Sequence, residues 1–355
     1  MLPKVGIIVL NWNNWRDTLE CLESVYRLDY PDVDVIVCDN ASTDESVTMI
    51  RRWAEGTVLS STRSPDARIR ALTDPPVQKP LPVAMMEESS TIRPAQTASA
   101  TLTILRLGRN GGYAAGNNAG LRLARERGAG LFWILNNDTV VTPAALSALV
   151  ERTQADRSIG LCGSLLLSYD EPQRVQAAGG AVYRRFTAIP EILGAGRAPH
   201  TLPSSESIEK KMSYVVGASL LATAAFFDAV GAMCEDYFLY FEELDWVMRS
   251  RGRFRLGFAS QSVVYHKEGA SAGSDANWRT RSAISDLCAV RSRLLITRRF
   301  FLPYYPIVFA TIVAAFFRRL LRGQPERARQ VLQILSGPES YRLPLPDEPR
   351  RRDAL

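Results

Sequence analysis

The sequence lacks several patterns that would assign it to a familiar class of protein. Its five cysteines include no CxxC pair, which argues against a disulfide framework or a structural zinc site and fits a reducing cytosol. The apolar run at residues 6–10 is too short for the core of a signal peptide. Neither a GxGxxG motif after this run nor the GK[ST] ending of a P-loop is present. We therefore expect a cytosolic protein that binds its ligand without either phosphate motif.

An excess of positive charge is absent from most of the chain and is concentrated in one segment. The 355 residues carry a net charge of +6, yet residues 291–329, with nine arginines, no lysine and a single acid, carry +8, which leaves −2 for the remainder. Nucleic-acid-binding proteins usually spread their basic residues over a binding face. Here the basic segment is also the most apolar part of the chain, a pairing typical of contact with an anionic membrane surface. We expect such a surface, and no nucleic acid, as a partner.

What the sequence does contain is the pattern of an α/β protein. Hydrophobic residues make up 46% and charged residues 23%, the mix of a packed globular protein. Apolar runs alternate with helical periodicity, which predicts a mostly parallel sheet with helices on both faces. A capping-box pattern at Ser42 and Glu45 and the pair Thr142–Pro143 predict two helix starts. The predicted strands are residues 5–10, 33–38, 102–107, 131–135, 159–167, 212–216 and 262–266.

Composition also divides the chain. Residues 1–295 read as one α/β domain, interrupted at 57–100, where 17 of 44 residues are Pro, Ser or Thr. We interpret this insertion as mobile and expect it at the sheet edge opposite the strand C-termini, because it joins a helix end to a strand start. Residues 296–337 form the apolar, Arg-rich segment, and residues 338–355 read as a loose tail.

Dense polar clusters follow three of the predicted strands, at residues 11–14, 39–44 and 136–139. Ligands of open parallel sheets bind beyond the C-terminal ends of the strands, so the clusters predict a binding site at that edge. Because Asn, Asp and Ser are also ordinary turn residues, a purely structural role for each cluster is the alternative.

A glycine-rich stretch and two single residues suggest a metal-assisted diphosphate site. Residues 111–118 have the glycine spacing of a P-loop without its lysine, so they bring backbone N–H groups near a diphosphate but supply no charge. Asp138 directly follows an apolar strand, and His266 ends another. One carboxylate, one imidazole and diphosphate oxygens suit Mn²⁺ or Mg²⁺. The alternatives are close helix–sheet packing for the glycines, a turn role for Asp138 and a core imidazole for His266.

Three acids occur within an aromatic and aliphatic stretch, YFLYFEELDWVM: Glu242, Glu243 and Asp245. Acids in apolar surroundings have raised pKa values, which suits a general base. Glu242 and Asp245 are three residues apart and share one helical face, whereas Glu243 points elsewhere.

Six motifs in this order resemble the family 2 glycosyltransferases, and among them the rhamnosyltransferase-like branch. They are VGIIVLNWNN, VIVCDNASTDES, LGRNGGYAAGNNAG, LFWILNNDT, YFEELDW and SVVYHKEGAS, and they cover about residues 4–295 without the insertion. The resemblance implies a GT-A fold and an inverting, metal-dependent transfer of a sugar from a nucleotide-diphosphate donor. The branch implies dTDP-L-rhamnose as donor. We expect a lipid-linked or cell-surface glycan as acceptor.

The resemblance also implies roles for single residues. Trp12 falls on the aromatic beside the nucleotide base, Asp39 on the acid that contacts base or ribose, and Asp138 on the metal-binding acid. Glu243 falls on the catalytic base, and His266 on a histidine that some members use as a metal or diphosphate ligand. The full expected nucleotide-sugar site is Asn11, Trp12, Asn13, Asp39, Asn40, Asn110, Gly112, Asn118, Asn136 and Asn137.

Two departures from the family pattern leave alternatives open. Asn136 replaces the first acid of the DxD-like motif, and the presumed base is Glu243 where Asp is commoner. Glu242 and Asp245 are therefore alternative bases. A nucleotidyltransferase, with Arg109 on a triphosphate, and a non-catalytic nucleotide-sugar-binding protein are the alternative functions.

The stretch at residues 300–317 has 18 residues without a formal charge. Pro303 and Pro306 are expected to restrict regular helix to about the last dozen residues, too few to cross a bilayer. Arginine pairs at both ends give no inside–outside asymmetry. We therefore expect this segment to lie on the cytoplasmic leaflet with its arginines on anionic headgroups. The alternative is an amphipathic helix packed on the catalytic domain.

Overall fold

The computed structural model describes residues 2–62, 64–88, 101–267 and 282–343. Within these residues the chain forms thirteen strands and eleven α-helices. The strands are β1 (Val5–Asn11), β2 (Val33–Asp39), β3 (Val83–Glu87), β4 (Leu102–Arg106), β5 (Leu131–Asn136), β6 (Thr139–Val141), β7 (Ile159–Ser168), β8 (Val175–Ala178), β9 (Gly180–Arg184), β10 (Ile189–Ile192), β11 (Tyr214–Val215), β12 (Ser219–Thr223) and β13 (Arg255–His266). The helices are α1 (Trp15–Val25), α2 (Ser46–Ala54), α3 (Ala67–Arg70), α4 (Gly112–Glu126), α5 (Ala145–Ala155), α6 (Ser205–Glu209), α7 (Ala224–Val230), α8 (Glu242–Arg249), α9 (Ala283–Phe300), α10 (Tyr305–Leu321) and α11 (Pro325–Ser336).

One large sheet forms the centre of the molecule, in the order β3-β4-β2-β1-β5-β12-β7-β13-β6, with β8 paired to β7. The run from β3 to β5 is parallel, and β13 is parallel to β7. Strand β12 is antiparallel to both of its neighbours, and β6 is antiparallel to β13. A second sheet has the order β10-β9-β11. The predicted mostly parallel sheet is confirmed.

Helices cover both faces of the large sheet, as predicted. On one face, α1, α2 and α5 bury side chains such as Leu22, Trp53 and Leu149 against β1 and β5. On the other face, α4, α7 and α8 bury Leu121, Phe226 and Trp246. Each strand side chain alternates between these two cores, so the central strands are apolar throughout.

The register of the parallel strands brings the three polar clusters to one edge. Asn11 at the end of β1 pairs with Asp39 at the end of β2, and Leu10 pairs with Asn136 at the end of β5. Because parallel strands all point the same way, their C-terminal ends meet there. The expected edge is therefore observed.

The described part of the insertion contains regular secondary structure, helix α3 and strand β3. Residues 83–87 form β3, which extends the sheet beyond β4. The preceding residues do contact the edge where the strands begin: Lys79 forms an ion pair of 2.6 Å with Glu23 near the end of α1, and Leu102 N donates to Pro82 O at 3.1 Å. Strand β3 then runs parallel to β4 toward the C-terminal ends of the strands. Residues 89–100 lie outside the described residues.

The C-terminal helices pack on the domain, and α9 runs through the expected boundary at residue 295. Leu294, Ile296 and Val308 lie in one core with Tyr183 and Phe241 of the domain. Helix α10 includes Pro306 in its first turn, where the missing N–H is tolerated, so it has 17 residues and is longer than the expected dozen. The rest of the expected tail, residues 344–355, lies outside the described residues.

Two predicted helix starts are displaced. Helix α2 begins at Ser46, and the Ser42 hydroxyl donates to Asp39 Oδ1 at 2.6 Å instead of capping the helix. Helix α5 begins at Ala145, because Thr142 and Pro143 form a turn before it.

Candidate active site

A cleft of about 1160 Å³ opens beyond the C-terminal ends of β1, β2 and β5 and extends to the C-terminal helices. Most of the predicted site residues line it, although they come from distant parts of the chain. They are Trp12, Asn40, Asn110, Gly112, Asn136, Asn137, Asp138, Glu242, Glu243 and His266.

Asn11 and Asp39 lie behind the wall of this cleft. Asn11 Nδ2 donates to Asp39 Oδ1 at 2.8 Å, and the Ser42 backbone N–H donates to Asp39 Oδ2 at 3.0 Å. Both residues are buried. Asn13 is exposed with a positive φ of 49°, and its Oδ1 accepts from Thr43 N at 2.8 Å. These contacts stabilise the two loops, and none of these residues lines the cleft.

Trp12 and a small amide network form the wall where the expected nucleotide lies. Trp12 Nε1 is buried and has no hydrogen-bond partner among the described residues. Asn40 Nδ2 donates to Asn110 Oδ1 at 2.9 Å, and this oxygen also accepts from Gly112 N at 3.0 Å. Since a buried donor without a partner is costly, the Trp12 indole N–H is available for a ligand acceptor.

Three glycines of the glycine-rich stretch lie where a larger residue would clash. Gly112 has φ +84°, and a Cβ there would clash with the Phe238 carbonyl oxygen, so only glycine fits this corner of the cleft. A Cβ at Gly116 would clash with Leu10 of β1, and one at Gly120 with Ile8. Gly112 therefore shapes the cleft, and Gly116 and Gly120 allow α4 to pack closely on the sheet.

Asn118, like Asn11, Asn13 and Asp39, is a predicted binding residue that does not line the cleft. It is fully buried in α4. Its Nδ2 donates to Met233 O at 2.9 Å, and its Oδ1 accepts from Met233 N at 2.9 Å. With both polar atoms engaged, Asn118 anchors the 233–235 loop and does not reach the cleft.

Asp138 and His266 face each other at the floor of the cleft, with 3.3 Å between Asp138 Oδ1 and His266 Nε2. Gln176 fixes the imidazole tautomer. Its Nε2 donates to His266 O at 2.9 Å, so its Oε1 is the atom 2.9 Å from His266 Nδ1, which must then carry the proton. In its neutral form the imidazole therefore presents the lone pair of Nε2 to a carboxylate oxygen, and in its protonated form Nε2–H forms an ion pair with that oxygen.

A neutral imidazole and a carboxylate that face each other can hold either a proton or a metal cation between them. Asp138 Oδ1 is buried and accepts no hydrogen bond from the described residues. Burial raises the pKa of Asp138, but the facing His266 and the nearby Lys267 together lower it by more, so the pKa of Asp138 lies below its ordinary value. The described residues contain no group of three or more metal-ligating side chains, so a divalent metal here needs further ligands, which a diphosphate supplies. The donor set fits Mn²⁺ or Mg²⁺.

The sequence assigned no role to Lys267, yet its contacts hold this floor of the cleft in place. Its backbone N–H donates to Asp138 O at 3.0 Å, and its ammonium group lies 2.6 Å from Asp17 Oδ1 and 2.5 Å from Glu20 Oε2. Gln176 was also missed, because it lies 90 residues from His266 in sequence and stands in no recognisable motif.

Glu242 and Glu243 start α8 at the cleft, after two residues in the left-handed region. Tyr240 has φ 73° and Phe241 φ 72°, a strained backbone of the kind found at functional sites. Burial raises the pKa of Glu243 to about 7, partly opposed by hydrogen bonds from backbone groups including Gly217. Burial and the neighbouring Glu243 raise the pKa of Glu242 well above its ordinary value. A carboxylate with a pKa near neutrality suits a general base.

Asp245 is excluded as an alternative base by its partners. It is fully buried, its Oδ1 accepts from Arg249 Nε at 2.6 Å, and its Oδ2 accepts from Arg299 Nη1 at 2.8 Å. Asp245 therefore ties α8 to α9. Arg109, the candidate triphosphate ligand of a nucleotidyltransferase, is exposed and does not line the cleft.

Comparisons with known proteins bear on the fold and on the family. No curated protein is significantly similar in sequence to this chain. The fold is similar to that of the mannosyltransferase PcManGT from Pyrobaculum calidifontis in complex with GDP-Man and Mn²⁺, with 16% identity and a TM-score of 0.51 over 97% of this chain and 77% of that chain. It is also similar to GalNAc-T7 with UDP, GalNAc and Mn²⁺, with 13% identity and a TM-score of 0.51 over 82% of this chain and 47% of that chain.

The expected GT-A fold is thus confirmed, and the sequence match is more specific than the fold. Residues 6–73 and 89–202, just over half of the chain, match the family described as Glycosyl transferase family 2. These ranges include the strand ends and the glycine-rich stretch that form the cleft. The chain therefore belongs to glycosyl transferase family 2.

Proposed function

We propose that the protein transfers a sugar from a nucleotide-diphosphate donor to an acceptor hydroxyl, with inversion at the anomeric carbon. The observation that carries this proposal is that the Asp138–His266 pair and the Glu243 carboxylate line the same cleft. The first can hold a divalent cation, and the second is a buried base whose pKa is about 7. Together they supply the two functions that a glycosyl transfer needs, leaving-group stabilisation and proton removal.

In this mechanism Glu243 accepts the proton of the acceptor hydroxyl. The hydroxyl oxygen bonds to the anomeric carbon from the face opposite the nucleotide, while the bond from that carbon to the diphosphate oxygen breaks and its electron pair stays on the diphosphate. Attack from the opposite face inverts the configuration. A divalent cation held by Asp138 and His266 would neutralise charge on the departing diphosphate. Trp12 and the Asn40–Asn110 pair orient the nucleotide portion.

The donor and the metal are proposed from likeness and from ligand chemistry. dTDP-L-rhamnose remains the first candidate donor, on the motif resemblance to the rhamnosyltransferase-like branch. The similar solved structures hold GDP-Man or UDP, each with Mn²⁺. An imidazole ligand at His266 favours Mn²⁺ over Mg²⁺, which prefers oxygen ligands.

We also propose that the protein works at the cytoplasmic face of a membrane, on a lipid-linked acceptor. The helical stretch Leu302–Leu321 is, by its length and composition, able to cross a membrane, and only 11% of it is buried against the rest of the protein. Helix α10 buries Val308 and Ile312 against the domain, while other large apolar side chains stay exposed. These exposed residues are Ile307, Phe317, Leu320 and Leu321, and Leu302 just before the helix is exposed as well. The packed helix and the membrane-facing helix, which we had treated as alternatives, are thus compatible.

Release of nucleotide diphosphate tests the proposed activity. The protein is incubated with dTDP-, UDP- and GDP-sugars, each with Mn²⁺ or with EDTA, and release is measured with and without a lipid extract as acceptor source. We expect release from one donor class, its loss in EDTA, and its loss in Asp138→Asn. Glu206→Gln, an exposed acid paired with Lys210, is the matched control. Binding of donors without release from any of them would favour the non-catalytic alternative.

A further inference from the structure

Five arginines line the end of the cleft that the C-terminal helices form. Arg293 belongs to α9, Arg318 and Arg319 to α10, Arg322 follows α10, and Arg327 belongs to α11. From the sequence we expected the arginines of this segment to face membrane headgroups. The structure instead turns these five toward the same cleft that holds Glu243.

The positive charge at this end is only partly neutralised. Arg319 forms a two-pronged ion pair with Asp286, at 2.7 Å. Within the ranges that the structure describes, neither Arg318 nor Arg327 has a carboxylate partner. Arg293 donates to Thr187 O at 2.6 Å and Thr311 Oγ1 at 2.9 Å. Its Nε is buried without a partner among the described residues.

Gathering these side chains is unfavourable without an anion. Burial lowers the pKa of Arg293, and the neighbouring Arg318 and Arg319 lower it further, which shows that the like charges interact. Arginine stays protonated in proteins, so the repulsion persists at neutral pH. A bound phosphate would offset it and would match the paired N–H groups of the guanidinium.

This end of the cleft is attached to the loop that carries the base. Ser285 Oγ in α9 lies 2.6 Å from Tyr240 Oη, and Ser292 Oγ donates to Leu239 O at 2.9 Å. The Asp138–His266 pair, where the donor diphosphate is expected, comes from β13 and the end of β5 instead. An anion on the arginines and an anion on the metal pair therefore occupy sites built by different elements.

We propose that Arg293, Arg318 and Arg327 bind a phosphate or diphosphate group of the acceptor. This inference rests on the proposed function, and it adds the acceptor's chemical class. The exposed Phe317, Leu320 and Leu321 lie on the same helix as Arg318, so a lipid attached to the phosphate has an apolar surface beside its anionic group. The acceptor is then a sugar or alcohol linked through phosphate to a lipid.

Calorimetric binding of geranyl diphosphate in EDTA tests the proposal, because without metal the Asp138–His266 pair has no cation to attract the probe. The protein is the full chain, as wild type, as the double variant Arg318→Gln/Arg327→Gln, and as Arg329→Gln. Arg329 is exposed, lies on α11 and does not line the cleft, so it is the matched control. We expect the double variant to bind at least about tenfold more weakly, since each arginine makes a charge-assisted hydrogen bond, and the control to bind like wild type.

Further arms identify the source of the anion. Geraniol should bind far more weakly than geranyl diphosphate, and inorganic pyrophosphate should bind and compete with it. Equal binding of the probe by the double variant would overturn the proposal. So would displacement of the probe by metal-free UDP, GDP or dTDP, which would place it in the donor site. Loss of binding to phosphatidylglycerol vesicles with unchanged binding of the probe would assign the arginines to headgroups and also overturn it. Nucleotide-diphosphate release by the wild type is measured separately, so its failure would reject the proposed function while leaving the binding result standing.

Discussion

Gln176 offers a test of the metal site that leaves both expected metal ligands in place. Its amide accepts from His266 Nδ1 at 2.9 Å and donates to His266 O at 2.9 Å, so it both orients the ring and fixes its tautomer. Gln176→Met keeps the length and approximate volume of the side chain and removes both hydrogen bonds. The imidazole can then rotate and protonate Nε2, which removes the lone pair that faces Asp138.

The expected size of the effect follows from this role. Loss of a partner that orients a metal-binding histidine typically weakens metal affinity by about 10- to 100-fold, or roughly 1.4 to 2.8 kcal/mol. Gln176→Glu restores an acceptor for Nδ1–H and should recover most of the affinity. Gln333→Met, at an exposed position on α11, controls for the substitution itself.

Mn²⁺ binding is followed by electron paramagnetic resonance at pH 7.5, with and without the nucleoside diphosphate that the donor screen identifies. We expect weak Mn²⁺ binding in Gln176→Met, near-normal binding in Gln176→Glu, and a circular dichroism spectrum unchanged in both. Wild-type affinity in Gln176→Met would refute the argument that the tautomer is fixed by Gln176. Unchanged Mn²⁺ binding in His266→Ala would refute the metal assignment itself.

Three further predictions concern the base, the glycine corner and the apolar surface. Glu243 must be ionised to accept a proton, so the wild-type rate should rise with pH and level off above about 7. Glu243→Gln should lower turnover by roughly 100-fold or more and should remove this pH dependence. If Glu242→Gln removes the pH dependence instead, the base is Glu242. Gly112→Ala should lower the melting temperature more than Gly128→Ala. Both glycines have φ above +80°, but only at Gly112 would the added Cβ clash with a neighbour, so we expect a difference of about 1 to 3 kcal/mol in the free energy of unfolding. Equal melting temperatures of the two variants would contradict this. Phe317→Ser/Leu321→Ser should reduce sedimentation with phosphatidylglycerol vesicles, and Leu59→Ser, which is also exposed, should not; equal reduction in both would show that the surface is unspecific.

The sequence by itself determined the elements and the edge of the site. Strand and helix periodicity predicted β1, β2, β4 and β5 within one residue at each end, because side chains of a central strand are buried on both faces and must be apolar. The direction of parallel strands then placed the polar clusters at one edge, as the Asn11–Asp39 register shows. Both inferences use only the order of apolar and polar residues along the chain and the common direction of parallel strands.

Only the tertiary structure decided what each polar side chain does. Asp245 and Glu243 are two residues apart and chemically alike, yet Arg299, 54 residues further along the chain, binds Asp245 and leaves Glu243 at the cleft. In the same way Met233 engages Asn118, and Gln176 orients His266. The arginines of the C-terminal helices look equivalent in sequence, but helix packing pairs Arg319 with Asp286 and turns Arg318 toward the cleft. Such assignments depend on which partner a buried polar group meets after folding, and that partner is set by packing between residues far apart in sequence.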